Sequence, residues 1–354
     1  MKYLIVQDWS STHGNHAGMV HMCNLLLDKY PSEYIAIIND IPRNRPSNTY
    51  YKKVINHIIN LYDRYIYYPH VYNELCKEMF NNLNDSDEVF LLEYLYPYVS
   101  QLSIAKKVKK IKPSVKVYAL SHLTPLLFEQ EFSNCREMIM RWSKPINKML
   151  TLGSSLSNYF LNCGINSNKI STGFHYVDDK YYHNDDVTRC NSTLRVIAMG
   201  NLQRDFKMLS NIVRATPYVN WVICKGRKQV DSLFTGMKNV TLKGYMEESE
   251  LREEMRLADI SFNVLEDTVG SNVITTSMAM GLALVVSDVG SIRDYCNENN
   301  AIFCKNSESD FISALKLLSE NHDLVISMKK ESQKKSTSLS IDNVHRWFCS
   351  LADS

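Results

Sequence analysis

Leu265-Glu266-Asp267-Thr268-Val269-Gly270-Ser271-Asn272-Val273-Ile274-Thr275-Thr276-Ser277-Met278-Ala279-Met280-Gly281 runs straight into Leu282-Ala283-Leu284-Val285-Val286-Ser287-Asp288. Before it stands a second apolar run, Ile260–Val264. The order reads as strand, acidic loop, helix, strand. Gly-Ser-Asn opens the helix, and Gly281 closes it, because glycine adopts the left-handed conformation that ends helices without steric penalty. Two apolar strands joined by one helix form a parallel βαβ unit. Main-chain N–H groups near Ser271 and Asn272 would face a phosphate at the N-terminus of that helix. Read alone, the stretch is equally an ordinary βαβ connection.

The same alternation extends in both directions. Strands are expected at Tyr3–Val6, Tyr34–Ile38, Val89–Leu92, Val115–Leu120 and Met149–Leu152. They resume at Leu194–Met199, Trp221–Ile223, Val240–Leu242, Ile260–Val264 and Leu282–Ser287. Helical periodicity fits His21–Lys29, Val54–Tyr65, Val99–Lys110, Glu247–Ala258 and Phe311–Ser319. Such alternation specifies an α/β fold of doubly wound parallel sheets. The polar stretch His183–Asn191 lacks an apolar pattern, and a fresh strand follows it. It divides the chain into expected domains 1–183 and 190–338. A last amphipathic piece, Ile341–Leu351, belongs to a segment of about 340–354 expected to pack back on the first domain. The 354 residues suit two domains.

Composition narrows the function. Lysine and arginine total 40 against 38 acids, a formal net charge of +2, so no basic excess points to nucleic acid. Nine cysteines without a Cys-x-x-Cys pair argue against a disulfide framework or zinc ribbon and for reduced thiols in a cytoplasmic protein. The opening apolar run, Tyr3–Val6, is too short for a signal peptide's apolar region.

Three further stretches carry candidate chemistry. After the first strand comes Thr12-His13-Gly14-Asn15-His16-Ala17-Gly18-Met19, small residues that let backbone approach a ligand before a helix begins. An ordinary tight turn has the same look. His13, His16 and His21 follow no standard zinc spacing. His122 and Glu93 each follow the carboxyl end of an expected strand, where open α/β sheets bind ligands. A lone histidine there is also commonly structural. In Gly200-Asn201-Leu202-Gln203-Arg204-Asp205-Phe206-Lys207, Arg204 and Lys207 could grip a diphosphate, one as a planar fork and one as a point charge. The bland reading is a solvated first helical turn.

Taken in order, these pieces resemble the retaining GT-B glycosyltransferases of the family-4 type, which have two Rossmann-like domains facing a central cleft. Gly164-Ile165, Lys169-Ile170 and His175-Tyr176-Val177-Asp178 resemble that family's passage between domains. Gly200 to Lys207 resembles its phosphate clamp, Gly244-Tyr245 its loop near the nucleobase, and Gly270–Asp288 its signature helix. The resemblance implies a nucleotide sugar as donor and a glycan or lipid-linked acceptor, in bacterial surface polysaccharide synthesis. It implies catalytic roles for His122, Arg204, Lys207 and Asp267. Donor contacts would come from Gly18, Gly200, Gly244, Tyr245, Gly270, Ser271, Asn272 and Thr276, and acceptor contacts from His16 and Glu93. No cofactor or metal is expected, since side-chain cations can take up the leaving diphosphate's charge. The sequence departs from the family where its two signature glutamates fall on Thr268 and Thr276, and where Asn201 follows the clamp glycine. These departures keep a second reading open: a catalytically silent GT-B subunit that binds a partner or glycan.

Relatives that use lipid-linked acceptors also imply peripheral contact with the inner membrane. Ala105–Lys112, Tyr50-Tyr51-Lys52-Lys53 and Tyr62–Tyr72 set cations beside aromatics, as bilayer-resting segments do. A solvated helix face has the same composition.

Overall fold

The computed structural model describes residues 1–9, 14–41, 58–96, 99–132 and 134–352. The chain forms two compact units, Met1–Phe174 with Val344–Ser354, and His175–Asn343.

The first unit is built on strands β1 (Lys2–Gln7), β2 (Tyr34–Asn39), β3 (Glu88–Leu91), β4 (Lys116–Ser121), β5 (Lys148–Thr151) and β6 (Ile170–Thr172). All pair in parallel, in the order β2-β1-β3-β4-β5-β6. Leu4, Ile5 and Val6 are fully buried, as expected for a parallel strand covered on both faces. Helices α1 (Met19–Lys29), α2 (Tyr68–Leu75), α3 (Lys77–Asn82), α4 (Leu102–Ile111), α5 (Pro125–Glu131), α6 (Cys135–Ser143) and α7 (Ser154–Asn162) connect the strands. Strand order reverses between β1 and β3, and that reversal opens a crevice at their carboxyl ends.

The second unit holds β7 (Arg195–Met199), α8 (Phe206–Ala215), β8 (Asn220–Cys224), β9 (Val240–Lys243), α9 (Glu248–Leu257) and β10 (Ile260–Asn263). It continues with α10 (Asn272–Ala279), β11 (Ala283–Ser287), α11 (Ile292–Tyr295), β12 (Ala301–Cys304), α12 (Glu308–Glu320) and α13 (His322–Ser336). Its sheet order is β12-β11-β10-β7-β8-β9, the dinucleotide-binding Rossmann order, with the reversal between β7 and β10. Val196, Ile212, Trp221, Phe262, Val285 and Phe311 form its core. Trp221 meets Phe262 edge to face at 4.9 Å.

A last helix, α14 (Ile341–Ser350), closes the chain. From Val344 onward it lies in the first unit. The Trp347 ring lies where a Cβ on Gly173 would stand, 2.3 Å away, and its Nε1 donates to Ser171 Oγ at 3.0 Å. Phe348 packs on Phe90 with ring centroids 4.5 Å apart, and Tyr118 donates its hydroxyl proton to the Leu351 carbonyl.

The structure departs from the sequence reading in several places. The expected boundary at 183–191 lies inside the second unit. Two of its polar side chains tie it to that unit: Asn184 donates to the Met280 carbonyl, and Asn191 donates to Asp259 at 2.8 Å and to the Leu257 carbonyl. Edge strands β6 and β12 were not expected, being short and flanked by polar residues. Helix α13 was not expected either. The face it buries carries Lys329, Ser332 and Ser336 beside Val325 and Met328, so it shows no clean apolar stripe. Of the helix expected at Val54–Tyr65, residues 54–57 lie outside the described residues; from residue 58 the chain is helical and passes into a π-helical turn at Asp63–Tyr67.

Candidate active site

In the second unit the crevice at the strand reversal is walled by the loop after β7 and the loop after β10. The two are stitched together. Arg204 bridges to Leu265, and the Glu266 amide donates to the Gln203 carbonyl at 3.1 Å. Gly200 holds φ +85, open to glycine and strained for other residues. A Cβ there would stand 3.2 Å from Val273 Cγ2 and 3.4 Å from Arg204 Nη2, so glycine, arginine and the first turn of α10 meet at one point.

Arg204 is the distinctive group. Its Nη1 donates to Asn263 Oδ1 at 2.9 Å, while its Nε is shut from solvent without a partner. Among the described residues no carboxylate stands within ion-pair distance of it. Burial pulls its pKa down to about 10, so the guanidinium still carries its charge at neutral pH. A desolvated cation without a counter-ion is unfavourable until an anion arrives. Gln203 Nε2 and Asn272 Oδ1 are also buried without partners. Native interiors normally satisfy such atoms, and three of them in this loop pair mark a place that a ligand completes.

The opening of α10 adds donors. Ser271 caps the helix, its Oγ accepting from the Val273 amide at 3.2 Å. Among the described residues the amides of Ser271 and Asn272 find no protein acceptor, so both remain for an anion. Gly270 holds φ +107, and its missing side chain makes room for the Tyr295 hydroxyl, which a Cβ would meet at 2.3 Å. That hydroxyl accepts from the His175 amide at 2.7 Å.

The other expected residues stand differently. Lys207 is exposed on the first turn of α8, so it and Arg204 sit in unlike dielectric surroundings rather than as a matched pair. Asp267 is half-buried, with Oδ1 accepting from the Thr268 amide at 2.8 Å. Thr276 is buried, and its hydroxyl donates to the Asn272 carbonyl at 2.6 Å, a bond inside its own helix. Gly244 has open space where a side chain would be, and the Tyr245 ring is 58% exposed beneath Arg227, 5.0 Å from ring centroid to guanidinium carbon. Sequence reasoning missed Asn263 and Arg227. Asn263 was detectable as a polar residue ending a strand of otherwise apolar character.

In the first unit the reversal between β1 and β3 brings together Trp9, Glu93 and His122. Glu93 is 1% exposed, and its Oε1 accepts from Trp9 Nε1 at 3.1 Å. Its Oε2 lies 2.8 Å from His122 Nε2. Gln101 fixes the Glu93 backbone, its Oε1 accepting from the Glu93 amide at 2.9 Å. Burial works against protonation of His122, but the charge and hydrogen bond of Glu93 outweigh it and raise the pKa above the ordinary histidine value. Gly18 is the N-cap residue of α1, and the rings of His16 and His21 lie 4.2 Å apart. His13 and Thr12 lie outside the described residues.

A pH dependence follows. Because the folded-state pKa of His122 is raised, the pair's contribution to stability is complete below the unfolded value of about 6.5 and is lost as pH rises through the folded value. Glu93→Gln is expected to lower the imidazole pKa and to flatten that loss. Imidazole titration by NMR, alongside urea unfolding at several pH values, checks both. An unmoved titration would show that Glu93 does not hold the proton.

Residues 194–321 match the family described as glycosyl transferases group 1. Among curated protein sequences none matches the chain. The fold is shared with HepE of Anabaena solved with UDP, at TM-score 0.71, 11% identity and 100% coverage of both chains. It is shared equally with sucrose-phosphate synthase of Thermosynechococcus elongatus, at TM-score 0.71, 10% identity and 100% coverage of both. TarM of S. aureus, solved with fondaparinux, α-GlcNAc-glycerol and UDP, matches at TM-score 0.59 and 14% identity over 79% of this chain and 58% of its own. With two parallel six-stranded Rossmann-like units the fold is GT-B. The group 1 glycosyltransferase domain lies in the second unit.

Proposed function

We propose that this chain transfers a sugar from a nucleoside diphosphate sugar to a glycan or lipid-linked acceptor, with retention at the anomeric carbon, in bacterial surface polysaccharide synthesis. The observation that carries the reading is the half-buried guanidinium of Arg204, whose Nε is shut from solvent without a partner, beside the unengaged amides that open α10. Breaking the sugar–phosphate bond builds negative charge on the diphosphate, and preorganised donors in a desolvated site stabilise it by about 3–4 kcal/mol each. Arg204 would hold the diphosphate oxygens as a fork, Ser271 and Asn272 would donate from the backbone, and Lys207 would add a solvated charge. Tyr245 offers an open ring for the base. In a retaining reaction the acceptor hydroxyl attacks from the face the diphosphate leaves, and the departing phosphate takes its proton. His122, whose pKa Glu93 raises, would donate to a hydroxyl of the sugar. HepE structures hold UDP and UDP-glucose, which makes uridine diphosphate sugars the first donors to try.

Support for membrane contact comes from residues 58–66 rather than from the lysines of α4. Ile58, Leu61, Tyr62, Tyr65 and Ile66 follow i, i+3, i+4, i+7, i+8 spacing, and their exposures of 59, 39, 47, 52 and 57% leave the apolar stripe facing outward. Lys107 instead lies over the Phe80 ring at 4.2 Å, and Lys109 donates to the Val115 carbonyl. Tyr50–Lys53 lies outside the described residues. No helix among the described residues is long and apolar enough to cross a membrane.

The silent-subunit reading draws on Thr276, whose hydroxyl proton is committed to its own helix where the family has a ribose-binding glutamate. Calorimetric titration with a panel of sugar nucleotides, followed by donor hydrolysis and cosedimentation with anionic vesicles, separates the readings. Binding with slow hydrolysis is the expected result. Binding without hydrolysis would favour the silent subunit, and no binding would end the enzymatic assignment. Absence of the protein from the vesicle pellet would end the membrane reading alone.

A further inference from the structure

Away from both crevices, α14 and the turn before β2 bring three metal-ligating groups together. His345 and Cys349 are four residues apart on α14 and share one face of it. Cys349 Sγ lies 3.7 Å from His345 Nε2 and 3.9 Å from Nδ1. Glu33 Oε1 lies 3.9 Å from the same Nε2. The three donor atoms all fall within 4.8 Å of one another. Zinc bonds of roughly 2.0–2.3 Å at tetrahedral angles place neighbouring donors about 3.3–3.6 Å apart. The two separations at Nε2 are therefore within roughly half an ångström of a closed site.

The surroundings orient the donors. Tyr34 Oη lies 2.9 Å from His345 Nδ1, and the Tyr30 ring stacks on the imidazole with centroids 3.7 Å apart. A hydroxyl oxygen that accepts from Nδ1–H leaves Nε2 with a free lone pair, the outer contact that metal-bound histidines ordinarily have. Lys2 donates to Glu33 Oε2 at 3.2 Å, which leaves Oε1 turned toward the histidine. Glu33, His345 and Cys349 are all half-buried, so water can complete the coordination.

We propose that Glu33, His345 and Cys349 form a site for a zinc-class divalent cation that fastens α14 to the sheet of the first unit. The metal joins Sγ, Nε2 and Oε1 to one centre, and the thiol releases its proton to solvent as the bond to sulfur forms. The donor set of thiolate, imidazole and carboxylate suits Zn²⁺ rather than Mg²⁺ or Ca²⁺, which take oxygen. The site is independent of the transfer chemistry above.

The test uses the full chain, stripped of metal and kept reduced, with Co²⁺ as the probe and Zn²⁺ as competitor. One equivalent of Co²⁺ is expected to produce a thiolate-to-cobalt charge-transfer band that Zn²⁺ abolishes. Cys349→Ser is expected to lose the band, and Tyr34→Phe to keep it with about 10- to 100-fold weaker affinity. Seven of the nine cysteines are buried, so Cys190 is the other thiol open to metal, and Cys349→Ser distinguishes the two. Zn²⁺ should raise the unfolding temperature of the native chain and not of Cys349→Ser. No stoichiometric band, or a band retained in Cys349→Ser, would overturn the proposal.

Discussion

Arg204→Ala is expected to lower kcat/KM by about 10²–10³-fold, while the chain unfolds within a few degrees of the native temperature. The guanidinium touches Asn263 and no acid in ion-pair range among the described residues, so its removal breaks one hydrogen bond and leaves no orphaned carboxylate. Lys207→Ala should do much less. An ion pair at 4 Å is worth about 1 kcal/mol in water and about 4 kcal/mol in partly buried surroundings. Lys207 is exposed and Arg204 is not, so the lysine's loss amounts to roughly fivefold and the arginine's to about a thousandfold. Arg204→Lys should rescue only part of the loss, because an ammonium cannot reproduce the planar fork. Steady-state transfer with the donor found by titration, plus thermal unfolding of each variant, decides the matter. Turnover that survives Arg204→Ala would move the leaving-group site elsewhere.

Asp259→Ala is expected to be the most damaging single change to stability, costing about 3–5 kcal/mol. Asp259 is 1% exposed and accepts from the Asn191 amide at 3.1 Å, the Asn191 side chain at 2.8 Å and the Arg195 amide at 2.8 Å. It also faces Lys329, 2% exposed, across 4.0 Å. Burial lowers the pKa of that lysine, and the aspartate is the leading opposing influence. Without Asp259 the lysine is a buried charge whose remaining hydrogen-bond acceptor among the described residues is the Arg189 carbonyl. Asp259→Leu combined with Lys329→Met should therefore lose less than the two single changes added together. Urea unfolding of the four proteins measures the coupling. Strict additivity would mean that the pair does not act as one.

The elements legible in the sequence were those whose residue pattern comes from burial on both faces. Tyr3–Val6 and Leu282–Ser287 could hardly be anything but inner parallel strands. The unseen elements lacked that signal: β6 is Ile-Ser-Thr at an edge, and α13 buries a lysine and two serines. The boundary misled because Asn184 and Asn191 look solvated in one dimension and are bonded to the second unit in three. At the site, glycine spacing marked Gly200, Gly270 and the opening of α10. What the sequence could not convey was direction. It listed Arg204 and Lys207 as equals, though one turns to Asn263 beneath the loop and the other to water. Nor could it reveal that Thr276 bonds its own helix, since that depends on a rotamer.

The seating of α14 bears on the order in which the molecule can mature. Phe90, Tyr118 and Gly173 receive their covering from Phe348, Leu351 and Trp347. Domains generally fold as they leave the ribosome, amino-terminal ones first. Here the amino-terminal unit waits for residues made after the whole of its neighbour, so the neighbour can finish first and the older half spends translation with an uncovered sheet face.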